Sequence, residues 1–450
     1  MNFTRDVVEA ADPRGRALVE LAADGGRREW TFGEIAAAAQ RLAGALHARG
    51  LRRGDVVLTL IGSRPEWAIT MLACFRAGYV VLPCTEQLRP KDLEVRLRVA
   101  QPRLVVADPR NAESLRPWTG DTLWLPFDDA SHTAPPPAEL EPSDPCLITF
   151  TSGTSGEPKA VLHGQRYLTG QRLQAEHWLA PEPGELVWCT ASAGWSKSAR
   201  NAFIAPWLRG AAALLHDARF DPEERLELIA RERVDVLCMA PTEYRVIAKR
   251  ATVGELPLRG LVAAGEALNP EVMHAWHEAT GLWIRDGYGQ TETGQLTGTP
   301  LDETPRPGSM GRPLPGVELG VVDGELVLDP LTDPTFFLRY LGDAPHEGPW
   351  RTGDRVAQDD DGYLYFEGRT DDVIISAGYR IGPFEVESAL VAHEAVAEAA
   401  VVAAPSEALV RALQDHVKAT TAPYKYPRVI DFADDLPKTA SGKVRRAALR

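Results

Sequence analysis

Cysteine is scarce in this 450-residue chain: five residues, Cys74, Cys84, Cys146, Cys189 and Cys238, with no Cys-x-x-Cys pair among them. Most sit in apolar surroundings. That spacing excludes a disulfide framework and a zinc ribbon, and predicts buried free thiols in a reducing compartment. Positive charge is also short, with 49 Lys and Arg against 63 Asp and Glu, for a net charge of −14. Such a balance opposes non-specific binding of nucleic acid or of anionic membranes. A bound polyanion would then need a local cluster of donors. No apolar run reaches membrane-spanning length, and the longest candidate, Phe203 to Leu215, is broken by Arg209. The N-terminal Met-Asn-Phe-Thr-Arg-Asp lacks the apolar core of a signal peptide. These absences together predict a cytoplasmic protein. The length exceeds one ordinary core, so two or more domains are expected. Hydrophobic residues at 44% and charged residues at 25% fit a soluble globular chain.

What the chain does carry is alternation. Thr31 and Glu34 form a capping-box pattern that opens an alanine-rich helix stopping near Gly50. Asp55 to Ile61 reads as a strand, Trp67 to Ala77 as a helix, and Tyr79 to Pro83 and Leu104 to Ala107 as short strands. The pattern resumes with Val234 to Met239 and Leu258 to Ala263. Strands alternating with helical stretches of this length predict βαβ units and largely parallel sheets. From about Gly316 the texture changes to short strands and turns, Val317 to Val322 and Glu325 to Leu328, which predicts a β-rich subdomain. A boundary falls at Gly368-Arg-Thr-Asp-Asp372. Beyond it lies a small α+β unit with a helix opening at Pro383 and running to about His393. The expected fold class is α/β. A large N-terminal domain, residues 1–368, combines parallel αβ subdomains with the β-rich one. A small α+β C-terminal domain, residues 369–450, follows.

Four motifs carry chemistry. The first is Thr151-Ser152-Gly153-Thr154-Ser155-Gly156-Glu157-Pro158-Lys159, directly after the apolar strand Cys146 to Phe150. Its hydroxyls, its two glycines and its lysine suit a polyphosphate, because glycines let backbone N–H groups converge on one anion. The Walker A spacing is absent. Alone, the run reads equally as a flexible linker; the apolar Ala160-Val161-Leu162 after Pro158-Lys159 argues for a strand–loop–strand hairpin. The second is Asp286-Gly287-Tyr288-Gly289-Gln290-Thr291-Glu292-Thr293, which offers an aromatic face, a hydroxyl and a carboxylate. Stacking, phosphate donation and magnesium coordination need those three chemistries, although in isolation the run is an ordinary polar turn. The third, Arg351-Thr352-Gly353-Asp354, reads as a turn that sets one carboxylate at a strand edge, where it could accept two hydrogen bonds from a ribose diol. Arg369 could reach the same sugar, while each residue alone reads as surface. The fourth, Leu436-Pro-Lys-Thr-Ala-Ser-Gly-Lys443-Val-Arg-Arg, is by itself a solvated basic tail.

In this order the four motifs resemble the adenylate-forming superfamily of acyl-CoA synthetases, carrier-protein adenylation domains and luciferases, from about Thr31 to Arg450. The likeness is greatest to medium-chain acyl-CoA synthetases, through Gly194-Trp195, Ala205-Pro-Trp207, Asp286 to Thr293, Ser376 to Pro383 and Thr421 to Arg428. The resemblance implies two half-reactions. A carboxylate attacks the α-phosphate of ATP, releasing pyrophosphate and leaving an acyl-adenylate. The small domain then rotates, and a thiol, usually that of CoA, displaces AMP. By position, Thr151 to Lys159 would hold the β- and γ-phosphates. Gly265, Glu266 and Ala267, with Asp286, Gly287 and Tyr288, would wall the adenine, and Gly289 and Gln290 belong to the same nucleotide-binding stretch. Thr291 would touch the α-phosphate and Glu292 would hold Mg²⁺. Asp354 and Arg369 would bind the ribose. Lys443 would bridge the attacking carboxylate and ATP, with Asp371 as the hinge. Gln87, Gly378 and Tyr379 match positions along the pantetheine path. Trp195, Lys197 and Asn201 fall near the acyl pocket. Trp195 would either bound a medium-length or aromatic acid or pack a helix in the core. Lys197 would either pair with a substrate carboxylate or face solvent.

The C-terminal unit departs from the resemblance. Val396 to Ala404 reads as its first strand, after which Pro405-Ser-Glu407 passes directly into a helix, Ala408 to His416. About two strands, on the order of 20 residues, are expected to be missing after about residue 405. A basic turn that helps seat the CoA nucleotide would go with them. Three readings follow. One is a carboxylate–CoA ligase. Another is an adenylating enzyme with a different acceptor: an amine, a carrier-protein thiol, or a nitrogen nucleophile on an activated oxyanion such as nitrite. The last is a nucleotide-binding homologue without catalysis, against which Lys443, Asp354 and Glu292 stand.

Overall fold

The strand-forming runs are apolar at nearly every position, which suits strands buried on both faces. The computed structural model describes residues 1–127, 133–151 and 157–370. In the C-terminal unit it describes 374–376, 379–381, 383–391, 393, 396, 399–402, 414, 417, 427, 429–431, 436–438 and 444–449. Fourteen strands build two large sheets: the short strand Arg339–Tyr340 and thirteen others. The thirteen are β1 (Arg16–Leu21), β2 (Arg27–Thr31), β3 (Val56–Leu60), β4 (Val80–Cys84), β5 (Leu104–Ala107), β6 (Thr122–Trp124) and β7 (Pro145–Phe150). The series continues with β8 (Ala160–Gly164), β9 (Leu186–Cys189), β10 (Ala212–His216), β11 (Val236–Met239), β12 (Gly260–Ala264) and β13 (Ile284–Gly287). One sheet has the order β13-β12-β11-β9-β10-β1-β2, and only its last pair is antiparallel. The other runs from the short strand Arg339–Tyr340 through β8-β7-β4-β3-β5-β6. It is parallel from β7 to β6, and β7 and β8 form the expected hairpin.

Alternation along each strand divides the interior into layers. Val57 and Val81 enter the same core as Val187, Ala213, Val236 and Val262 of the other sheet. Their neighbours Leu58 and Leu82 pack on the outer face of one sheet, and Trp188, Leu214, Leu237 and Leu261 on the outer face of the other. The two sheets therefore share one central core, which also holds the helices Phe32–Ala48 and Pro65–Ala77. The first helix starts on the capping box read from the sequence. The Glu34 N–H donates to Thr31 Oγ1 at 3.2 Å and the Thr31 N–H to Glu34 Oε2 at 2.8 Å. The second begins on Pro65 and ends at Gly78, whose φ of 73° suits a residue without a Cβ. Gly194 (φ 96°) touches the loop after β4 so closely that a Cβ there would stand 2.2 Å from the Thr85 nitrogen. All five cysteines are buried and free. Among the described residues, no helix is long and apolar enough to cross a membrane.

The β-rich part is a four-stranded antiparallel sheet in the order Leu319–Val322, Glu325–Leu328, Trp350–Gln358, Leu364–Arg369. Here the sequence reading needs correction: Arg351 to Asp354 is no turn at a sheet edge but lies within a nine-residue inner strand. Gly353, at φ 71°, lets that strand kink where its register shifts, as glycine does at bulges. A second correction concerns Val396 to Ala404. Its described residues, 396 and 399–402, carry no strand. The Val401 N–H, which a ladder would have used, donates to Glu387 Oε1 at 2.9 Å. The ribbon Ile374–Ser376 with Tyr379–Ile381 and the helix Pro383–Val391 match the expected start of the small unit. The stretch 403–413, where the shortening is expected, lies outside the described residues.

His163, on β8, is 1% exposed, and its ring lies 4.0 Å from that of Tyr167. Burial, together with the nearby Arg200 guanidinium, pushes the imidazole down from 6.5 to about 3. The folded ring stays neutral while the unfolded one takes a proton, so its contribution to stability is lost as pH falls from about 6.5 toward about 3. His163→Gln should therefore flatten the fall of the unfolding free energy, read from urea titrations, across the upper part of that window by as much as about 1.4 kcal/mol per pH unit. Parallel pH profiles for wild type and variant would contradict this.

Candidate active site

Parallel strands deliver their C-terminal loops to the same side, and ligands in α/β sheets bind there. The residues that follow β4 (Thr85, Glu86, Gln87), β7 (Thr151), β9 (Thr190), β11 (Ala240), β12 (Gly265) and β13 (Tyr288) all line one cleft of about 1900 Å³. The four-stranded sheet closes one flank with Asp354 and Arg369, and the C-terminal unit another with Glu387, Val444 and Arg446.

At the hairpin, the Thr151 N–H donates to the Lys159 carbonyl at 2.9 Å and the Lys159 N–H to Thr151 Oγ1 at 3.0 Å. The base of the glycine loop is thus pinned. Ser152, Gly153, Thr154, Ser155 and Gly156 lie outside the described residues. The Lys159 ammonium stands 4.7 Å from the Tyr340 ring centre, and the Tyr340 hydroxyl donates to Glu292 Oε1 at 2.7 Å. Burial raises the Glu292 carboxyl above its ordinary range, against the pull of Tyr340, Arg369 and Lys159. Thr291, beside it, is half-buried on the cleft wall. Tyr340 was not legible in the sequence: it reaches the cleft from an edge strand paired with β8.

Asp354 is the second node. It is 5% exposed and faces Arg369 across the strand pair. Arg369 Nη1 donates to Asp354 Oδ1 at 3.0 Å, Gln290 Nε2 donates to Oδ2 at 2.8 Å, and the Tyr288 hydroxyl also donates to Oδ2. A carboxylate offers about four acceptor positions, so these contacts leave room for a further donor. Burial and the Asp354 charge push the Tyr288 phenol well up, keeping it a donor. Gln290 is itself held, donating to the Thr352 carbonyl at 2.8 Å and accepting from Trp350 Nε1 at 3.0 Å. Trp350 is another contributor that no motif announced.

At the other end of the cleft, Gly265 (φ 100°), Glu266 and Ala267 follow β12, and Glu266 Oε2 accepts from Thr242 Oγ1 at 2.6 Å. Asp286 is 3% exposed; burial holds its carboxyl well above the usual range, opposed by the Gly287 N–H it accepts at 2.9 Å. Trp195 is a half-buried wall residue rather than a core tryptophan. Lys197 does not simply face solvent: its Nζ donates to the Ala264 carbonyl at 3.0 Å. Asn201 departs from expectation. It is wholly buried and accepts from Gln174 Nε2 at 2.9 Å, while Arg200 takes the place on the wall. In a regular α-helix 197 and 201 would share a face, but Arg200–Ile204 is a π-turn, whose extra residue per turn rotates 201 away.

Gln87 is exposed at the cleft margin, and the Tyr379 backbone pairs with Ser376. Gly378, Asp371 and Lys443 lie outside the described residues. Next to the last, Val444 bridges Lys438, and Arg446 grips Glu387 through Nη2 at 2.6 and 2.7 Å. Among the described residues no cluster of three His, Cys, Asp or Glu could hold a metal ion.

Comparison with known proteins agrees with this geometry. Residues 6–331 match the family described as AMP-binding enzyme, and residues 385–443 its C-terminal domain. The acyl-CoA ligase YtcI of Bacillus subtilis, itself described as uncharacterized, is 36% identical over 95% of this chain and 91% of its own length. The mitochondrial acyl-coenzyme A synthetase ACSM3 of Rattus norvegicus is 34% identical over 100% of this chain and 90% of its own. Among solved structures, the anthranilate CoA ligase AuaEII in complex with anthranoyl-AMP superposes with a TM-score of 0.88 at 28% identity, over 100% of this chain and 96% of that one. With both halves matched and relatives aligned along nearly their whole length, the chain belongs to the AMP-binding enzyme family.

Proposed function

We propose that this protein is an ATP-dependent acid–thiol ligase. It activates a carboxylic acid as an acyl-adenylate, releases pyrophosphate, and passes the acyl group to CoA. The observation that carries this is the convergence on one cleft of two charged nodes. Lys159, Tyr340 and Glu292 lie at the glycine-loop end, and Asp354, Arg369 and Tyr288 beside it. The first suits a polyphosphate and the second a ribose. Adenylation depends on positioning and charge neutralisation, which buried nodes of this kind supply. Magnesium fits as an ion held by one protein carboxylate and the substrate's phosphates. Glu292, whose carboxyl burial holds toward the neutral form, would gain its charge beside such a cation. Five buried free thiols suit a reducing cytoplasm. In this reading residues 1–368 bind the nucleotide. Residues 369–450 turn about Asp371 to bring in first Lys443 and then the pantetheine path of Gln87, Gly378 and Tyr379. AuaEII is named as an anthranilate CoA ligase, which supports aromatic acids in a first panel, and the motif likeness to medium-chain synthetases adds medium-length ones.

The shortening expected after residue 405 supports a second reading, adenylation with an acceptor other than CoA. The two separate cleanly. CoA-dependent AMP and thioester formation supports the first; acid-dependent pyrophosphate release that CoA leaves unchanged supports the second.

Lys443→Ala should lower ATP–pyrophosphate exchange at least about 100-fold, the scale of a lost positioning charge, while ATP binding survives. Full exchange in that variant would refute the assignment. Asp354→Ala should raise the KM for ATP about 10- to 100-fold, as expected for charge-assisted hydrogen bonds lost to a nucleotide. An unchanged KM in exchange kinetics would remove Asp354 from the ribose role.

A further inference from the structure

Behind the acyl end of the cleft, the wall is polar where an alkyl tail would want it apolar. Arg200 is 4% exposed on the cleft wall, and its Nε and Nη1 find no hydrogen-bond partner among the described residues. Asn201, wholly buried, leaves Nδ2 unpaired, and Gln174, though it donates to Asn201, leaves Oε1 unpaired. Both amide atoms of Gln171, Trp178 Nε1 and Gln295 Oε1 are also buried without partners among the described residues. Donors of this zone lie close behind glycines at and beyond the ends of β12 and β13. A Cβ on Gly287 would stand 2.7 Å from Trp178 Nε1, one on Gly294 3.4 Å from Arg200 Nη1, and one on Gly265 3.2 Å from Lys197 Nζ.

Each buried polar atom left unpaired costs about 1–3 kcal/mol, so a zone with this many is built for a polar occupant. Its charge is positive. Lys197 and Arg200 stand on the wall with Arg166 behind them, and His163 is held neutral. The carboxylates that face them are Asp286, which burial holds well above its usual range, and Asp333, which burial pushes up to about 7.

We propose that this zone receives the far end of the activated acid, and that the preferred acid carries a second carboxylate there in place of an alkyl terminus. The inference rests on the acid-activating reading above and narrows its substrate. A dicarboxylate would bring acceptors to Arg200 and Lys197. An alkyl tail would cover the same donors with carbon and leave them unpaired, the situation in which sites discriminate most sharply.

The test is ATP–pyrophosphate exchange with the full chain on acids matched in length: succinate against butanoate, glutarate against pentanoate, adipate against hexanoate. The expected result is a kcat/KM at least about tenfold higher for the diacid in the best pair. Arg200→Met should shrink that ratio below about threefold with the KM for ATP unchanged, and Lys197→Met should act in the same direction. Alkyl acids favoured in every pair would overturn the inference, leaving the zone as a water-filled layer, and wild type alone decides this even where a variant folds poorly. A diacid preference that neither variant moves would also overturn it, since the selectivity would then lie elsewhere. Exchange with none of these acids and with no aromatic acid would instead sink the acid-activating reading itself.

Discussion

Two parallel sheets share one apolar core, and that sharing determines where the chemistry sits. Because Val57 and Val81 of one sheet pack in the same layer as Val187 and Val236 of the other, the sheets are held face to face. Their strands then end on the same side, and six loops from distant parts of the chain converge without being adjacent in sequence. Each loop supplies a short polar run with little burial of its own. The apolar strand ahead of it, buried on both faces, provides the rigidity that catalytic positioning demands. The outer cores around Leu58 and Leu237 then cover the remaining faces and leave the cleft as the exit for polar groups.

The β-rich sheet joins this arrangement through a single carboxylate. Asp354 takes hydrogen bonds from Arg369 of its own sheet and from Tyr288 and Gln290 at the end of β13. A charge so nearly buried is stable only when paired and hydrogen-bonded. The same contacts that satisfy Asp354 therefore fix the angle at which the third layer meets the first. Tyr340 does the corresponding work at the glycine loop, holding Glu292 and covering Lys159. A nucleotide lying between the two nodes would meet groups already oriented by one another rather than by the ligand.

The parts of the site legible in the sequence are those where the chemistry needs several special residues in one run. The glycine–hydroxyl loop ending at Lys159 and the Asp286 to Thr293 stretch are of that kind. The α/β alternation was legible because the strand runs are apolar throughout and the helix starts carry a cap or a first-turn proline, as at Thr31 and Pro65. Tyr340 and Trp350 were not, because a lone aromatic residue in a β-rich segment has no local mark of the contact it makes across the fold. Asn201 was set near the acyl pocket by resemblance alone, and no residue pattern announces the π-turn from Arg200 to Ile204 that turns it behind the wall. Asp354 was read into a turn because glycine in Arg-Thr-Gly-Asp suggests one, whereas here Gly353 relieves a bulge inside a strand. At Val401 a side-chain carboxylate, Glu387, competed successfully for a backbone N–H that β-propensity assigned to a ladder.

Gly194 bears on how the cleft is held. Its bare α-carbon presses on the backbone of Cys84 and Thr85, joining the loop after β9 to the loop after β4 with no side chain between them. A backbone-on-backbone contact has no rotamers to give way, so it behaves as a mechanical stop that sets the width of the floor. The roof is different in kind. Among the described residues, the C-terminal unit meets the rest through polar contacts such as Lys249 Nζ on the Val391 and Val396 carbonyls and Ser388 on Asn269. Water can replace such contacts one at a time. The molecule thus pairs a floor set by backbone contact with a roof held by hydrogen bonds that water can replace.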